Sequence, residues 1–62
     1  MDRYITGSAI RAFREKQHLT QAELAAQLHV SDKTISKWET GKGLPDITLL
    51  EPLSAALKIS LP

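Results

Sequence analysis

The sequence predicts an all-α domain of four helices, with a fifth beginning at its end, and three observations predict it. Apolar residues recur at three- and four-residue spacing along the chain, and no stretch alternates as a strand would. Capping residues stand ahead of each apolar run. Two of the helical stretches are short and separated by only three residues, His29-Val30-Ser31, which leaves room for nothing but a tight turn.

Composition sets the outer limits. At 62 residues the chain is one domain at most, and a domain of this size buries only about 60% of the surface its unfolded form exposes. A core plus a closed catalytic cavity does not fit. Hydrophobic residues at 42% with charged residues at 24% describe a globular domain, not a disordered tail. No apolar run approaches the roughly 20 residues of a membrane span, and no signal-peptide pattern opens the chain. A cytoplasmic protein without a membrane partner is expected. With no cysteine there is neither a disulfide framework nor a thiolate metal site, so helix packing has to hold the fold. The net charge of +1 and pI near 8.1 fall short of the pI of about 9 common in nucleic-acid-binding domains. Placement of charge therefore matters more than its sum.

The first helix is expected over residues 7–17. Ala9, Ile10 and Phe13 share one face, and Arg11, Arg14, Glu15 and Lys16 occupy the rest. Thr6 or Ser8 caps it and His18 ends it. The second helix has the clearest start. In Thr20-Gln21-Ala22-Glu23 the threonine hydroxyl accepts from the Glu23 amide while the Glu23 carboxylate reaches back to the Thr20 amide, a capping box. Ala22, Leu24, Ala25 and Leu28 are its expected core residues, and it stops near Leu28. The third helix is capped by Ser31, and Asp32 suits the positive end of its dipole. Ile35 and Trp38 point inward; Asp32, Lys33, Ser36 and Lys37 point outward. Gly41 ends it in a left-handed conformation. After a loop, Asp46 caps a fourth helix to about residue 57, with Leu49, Leu50, Leu53 and Leu57 as its apolar stripe. Pro52 is expected to bend this helix or to mark where its regular part begins. Ser60, with Pro62 in the first turn, reads as the start of a fifth.

Residues 20–40 have the makings of a helix-turn-helix. The first helix of the pair braces the second. Ala25 is small enough to let the two axes approach, and Val30 plugs the angle between them. The second helix, over about residues 31–40, then projects its N-terminal half into a major groove about 12 Å wide, where base edges carry an unambiguous donor and acceptor code. In that code a lysine suits guanine O6 or N7 and an aspartate accepts from cytosine N4.

At these residues the chain resembles the phage-repressor-like family, which includes the Cro and cI repressors and the xenobiotic-response-element regulators. The resemblance rests on Leu19-Thr20-Gln21-Ala22-Glu23-Leu24-Ala25, Val30-Ser31, Ile35-Ser36-Lys37-Trp38-Glu39-Thr40-Gly41 and Pro45, and spans residues 10–60. It implies a lambda-repressor-like domain that binds double-stranded operator DNA for a bacterial or phage transcriptional regulator. By position, Gln21 would hydrogen-bond a phosphate, and Asp32, Lys33, Ser36 and Lys37 would face base edges and adjoining phosphates. The backbone around Thr40 and the side chain of Lys42 would grip the flanking phosphates. Arg14 matches an arginine that forms a buried ion pair with the glutamate at Glu39. Two departures stand out. Family members commonly have glycine at His18 and His29, so both histidines would be strained left-handed caps. Phage repressors often carry glutamines where Asp32 and Lys33 stand, so their operator contacts do not transfer.

Each residue also has a plainer reading. The capping box would start any helix, Trp38 serves as a packing anchor, and Asp32 can act on the helix dipole alone. Lys33 and Lys37 would be ordinary solvated lysines, and Arg14–Glu39 a surface pair worth less than about 1 kcal/mol. His18 and His29 make a poor metal site, having no cysteine or third ligand at useful spacing. No metal or cofactor is expected. No enzyme is expected, since no nucleophile and base cluster in the sequence, no Gly-rich phosphate loop occurs and a core this small leaves no dry pocket. The serious rival is a protein-interaction module, such as an antitoxin's helix-turn-helix. Such an interface favours exposed aromatics or Met, whereas the outer face of the third helix offers lysines, serine and threonine, which suit DNA. Residues 1–62 are expected to form the N-terminal part of a longer regulator. They would be monomeric alone and a homodimer in the full protein, with Leu57, Ile59 and Leu61 partly exposed for that contact.

Overall fold

The structure, a computed structural model, describes residues 6–59. Four helices follow one another: α1 (Gly7–Lys16), α2 (Gln21–Leu28), α3 (Asp32–Glu39) and α4 (Ile47–Leu57), with no strand among the described residues. Ser60, Leu61 and Pro62, where a fifth helix was expected to begin, lie outside them.

Every helix starts on a side-chain oxygen. Thr6 Oγ1 accepts the Ala9 N–H at 3.2 Å and Ser31 Oγ accepts the Thr34 N–H at 3.2 Å. The Thr20–Glu23 capping box is complete, with bonds of 3.0 and 2.8 Å. Asp46 Oδ1 accepts from the Thr48 N–H at 3.5 Å. These bonds satisfy amides that a helix leaves unpaired at its N-terminus.

The four helices also end alike. After each, one residue turns left-handed: His18 (φ 59°), His29 (φ 58°), Gly41 (φ 78°) and Lys58 (φ 57°). In each case its amide donates three residues back and the following amide five residues back, as in His29 to Ala26 and Val30 to Ala25. This is the Schellman arrangement, which satisfies the last carbonyls and reverses the chain at once. At two histidines and a lysine it costs on the order of 1–2 kcal/mol each, since only glycine avoids the Cβ clash. Such ends keep the α1–α2 and α2–α3 connections to residues 17–20 and 29–31. α1 stops at Lys16, with Gln17 as its cap and not its last residue.

The core joins Ile10, Leu24, Ala25, Leu28, Ile35, Trp38, Leu53 and Leu57, and Phe13, Leu19, Val30, Leu49, Ala56 and Ile59 pack against it. Three expectations are corrected. Ala22 is exposed, not core. At about 100° per residue it lies on α2 well off the arc that buries Leu24, Ala25 and Leu28. Leu57 is wholly buried, not part of an exposed surface. Pro52 does not delimit the regular part of α4, which begins five residues earlier at Ile47 and continues to Leu57. It removes one donor, that to the Thr48 carbonyl, while the stripe of Leu53 and Leu57 anchors the helix regardless.

Gly7 is the point where α1 meets α3. A Cβ placed there would stand 2.1 Å from the Trp38 carbonyl oxygen and 2.9 Å from that of Glu39. Both obstacles are backbone, so neither can swing aside. In an open helical site Gly→Ala stabilises by about 1 kcal/mol. Here Gly7→Ala is expected to destabilise instead, by roughly 1–3 kcal/mol, as α1 is forced off α3. Urea unfolding monitored through Trp38 fluorescence reads the sign; a gain in stability contradicts the close approach.

Candidate nucleic-acid interface

Ile35 and Trp38 fix the orientation of α3 by burying one side of it. What remains outside follows from helical geometry. Positions 32, 33, 36, 37 and 40 fall within an arc of about 140° at about 100° per residue, opposite the buried pair. Asp32, Lys33, Lys37 and Thr40 are exposed, and Ser36 is half-buried. None of the charged groups on this arc takes part in an ion pair among the described residues. The N-cap is complete without Asp32, because Ser31 receives the Thr34 amide and its hydroxyl lies 2.9 Å from that of Thr34. The arc is thus a polar, cationic surface held rigidly by the core but not used by it.

At the end of α3 the chain bonds to itself. The amides of Thr40, Gly41 and Lys42 donate to Ser36, Trp38 and Lys37, at 3.0, 3.2 and 2.9 Å. The Thr40 hydroxyl donates to the carbonyls of Ser36 and Lys37 at 2.9 and 3.3 Å. These three amides close the helix. The amides of Gly43 and Leu44 have no partner among the described residues, and with the exposed Lys42 side chain they are the donors left at this end. Leu44 itself is 68% exposed, as is neighbouring Ile47 at 69%.

Behind the arc lies a buried ion pair. Arg14 Nε donates to Glu39 Oε2 at 2.6 Å and Nη2 to Oε1 at 3.1 Å, a two-pronged contact between side chains 11% and 4% exposed. The remaining Arg14 nitrogen, Nη1, donates to the Leu19 carbonyl at 2.7 Å. The bond to Glu39 raises the arginine's pKa further, against the cost of burial. Burial pushes the Glu39 carboxyl up, but hydrogen bonds from Arg14 and Gln21, with the charges of Arg14 and Arg11, outweigh it and hold the group below its usual range. Arg11 and Glu15 form a second pair on the surface, 3.4 Å apart and well solvated. It contributes little to stability.

Gln21 joins this pair. Its side-chain Nε2 donates to Glu39 Oε1 at 3.1 Å, linking the first residue of α2 to the last of α3. Nothing in the sequence marks this contact, since 18 residues separate the partners. The Leu19 carbonyl as a third tether on Arg14 is equally silent. The capping box uses the Thr20 and Glu23 amides and leaves those of Gln21 and Ala22 without partners among the described residues.

Comparison with known proteins fits this geometry. A family profile described as helix-turn-helix matches residues 10–62, and the chain belongs to that family. Its fold is that of the repressor-type members. It superposes with a TM-score of 0.85 on the P22 c2 repressor in complex with a synthetic operator, 39% identical, covering 90% of this chain and 85% of that one. The clp gene regulator ClgR of C. glutamicum superposes at 0.79 with 34% identity, covering 94% and 75% of the two chains. In sequence the chain is 40% identical over 52 residues to the HTH-type transcriptional activator BcrR of Enterococcus faecalis, covering 84% of this chain. It is 36% identical over 55 residues to multiprotein-bridging factor 1 of Candida albicans, covering 89% of this chain. It spans only 26% and 36% of those two relatives' lengths.

Proposed function

We propose that this chain is the DNA-binding domain of a transcriptional regulator and that α3 reads operator sequence from the major groove. The observation that carries the reading is the outer arc of α3, exposed and rich in hydrogen-bonding groups on a helix clamped by its opposite face. Asp32, Lys33, Ser36 and Lys37 are the base-facing set. The phosphate contacts fall to Gln21, Thr40 and Lys42, joined by the amides of Gly43 and Leu44, which have no partner among the described residues. Likeness to a repressor crystallised with its operator supports the same use of the surface. Exposed apolar residues sit at Leu44 and Ile47, beside the arc and not on it, so the arc does not have the character of a protein interface. The domain would belong to a longer, cytoplasmic, homodimeric regulator. Each half-site then supplies part of the affinity, with recognition helices about 34 Å apart on a palindrome. No described helix is long and apolar enough to cross a membrane.

The test is a fluorescence anisotropy titration with duplex DNA at several salt concentrations. If Lys33 and Lys37 neutralise phosphates adjoining the bases they face, and Lys42 a flanking one, the log–log slope is roughly −2.7 per domain, equivalent to a roughly 40-fold loss of affinity between 50 and 200 mM salt. Salt-independent affinity, or none at low salt, overturns the reading.

A further inference from the structure

We propose that Glu39 is a positioning residue for the DNA interface: its carboxylate, pinned by Arg14, fixes the Gln21 side-chain amide so that one N–H points inward and the other is presented to a backbone phosphate. The inference rests on the DNA-binding reading and deepens it. A free glutamine at a helix start has two nearly equivalent amide orientations and rotates among several rotamers. Here Nε2 donates to Glu39 Oε1 at 3.1 Å, and that oxygen also receives Arg14 Nη2 at 3.1 Å. A carboxylate accepts and never donates, so it selects the nitrogen of the amide and turns the carbonyl oxygen away. Gln21 stays half-exposed, and its second N–H has no partner among the described residues. On the same first turn stand the backbone amides of Gln21 and Ala22, which have no partner among the described residues.

Electrostatics explains why Arg14 has to be part of the device. A bare carboxylate one side chain away from a phosphate would repel it, the more so in a site only 4% exposed. The two-pronged guanidinium cancels that charge while leaving the acceptor geometry intact. The same carboxylate belongs to the residue preceding Thr40 at the end of α3. One buried group thereby ties the first turn of α2, with its Gln21 donor, to the end of α3.

The experiment is a double-mutant cycle on affinity for a mixed-sequence DNA duplex, since a phosphate contact does not depend on sequence. The variants are Gln21→Met, which keeps length but removes the donor, Glu39→Gln, and the two together. All are measured where Trp38 fluorescence shows them folded. Gln21→Met is expected to lower affinity roughly tenfold, the worth of one charge-assisted hydrogen bond, with an unchanged salt slope because no charge is lost. Glu39→Gln is expected to weaken binding several-fold alone but not further when combined with Gln21→Met. An equal loss from Glu39→Gln in both backgrounds, or no loss from Gln21→Met, overturns the proposal. NMR of the unaltered chain gives an answer that needs no variant. The pair of proton resonances of the Gln21 side-chain amide should lie away from those of the other glutamines, and added duplex should move one of the pair more than the other. A Gln21 amide indistinguishable from exposed glutamines overturns the proposal while leaving DNA binding intact; absence of binding by the unaltered chain at low salt overturns both.

Discussion

Glu39→Ala is expected to cost roughly 3–5 kcal/mol, because it strands the Arg14 guanidinium in a nearly closed site with the Leu19 carbonyl as its remaining acceptor. A chain of 62 residues commands about 3–9 kcal/mol in all, at about 0.05–0.15 kcal/mol per residue. The substitution therefore removes a large share of the stability. Urea unfolding followed through Trp38, which lies next to Glu39 and is 5% exposed, measures it directly. Replacing both partners, as in Arg14→Met with Glu39→Leu, should cost less than removing Glu39 alone, since no charge is then left unpaired. An unchanged midpoint for Glu39→Ala would mean that the pair is solvated. Acid should act in the same direction. Glu39 titrates lower in the folded chain than in the unfolded one, so its contribution is complete above the unfolded value of about 4.3 and is lost as pH falls through the folded value. Arg14 stays charged throughout that range and adds no step of its own.

Local chemistry made most of the fold legible. Capping oxygens at Thr20, Ser31 and Asp46 identify three helix starts correctly, because a cap and its amide lie two or three residues apart. The inward face of α3 is equally readable, since Ile35 and Trp38 share one side at helical spacing. What sequence spacing could not resolve is width and depth. The buried arc of α2 is narrow enough to leave Ala22 outside, and only the position of α3 against it determines that. Residues that matter through distant partners were the least visible. Gly7 reads as an unremarkable helix start until the carbonyls of Trp38 and Glu39 are found against it. Gln21 carries no mark of its bond to Glu39. The outer arc could be drawn from the sequence because it needs only a helix and its buried side, whereas the network behind it needs three elements docked together.

Leu57→Ala is expected to destabilise the isolated domain by roughly 2–5 kcal/mol, the range for deleting a buried leucine side chain and leaving a cavity. The sequence placed this residue both on the apolar stripe of the fourth helix and at a partly exposed surface awaiting a partner; its side chain is fully buried with Leu53 in the core, in the last turn of α4. The two placements predict different experiments. If Leu57 belongs to the core, the loss shows in the unfolding of the monomer and does not depend on protein concentration. If it belonged to a dimer contact, monomer stability would hardly change and only association would weaken. Leu44→Ala and Ile47→Ala serve as controls, because both side chains are about two-thirds exposed and such sites usually stay within about 0.5 kcal/mol. Thermal unfolding at two protein concentrations separates the cases. A melting temperature that falls for Leu57→Ala by the same amount at both, with the two controls unmoved, assigns Leu57 to the core and leaves any dimer contact to other residues.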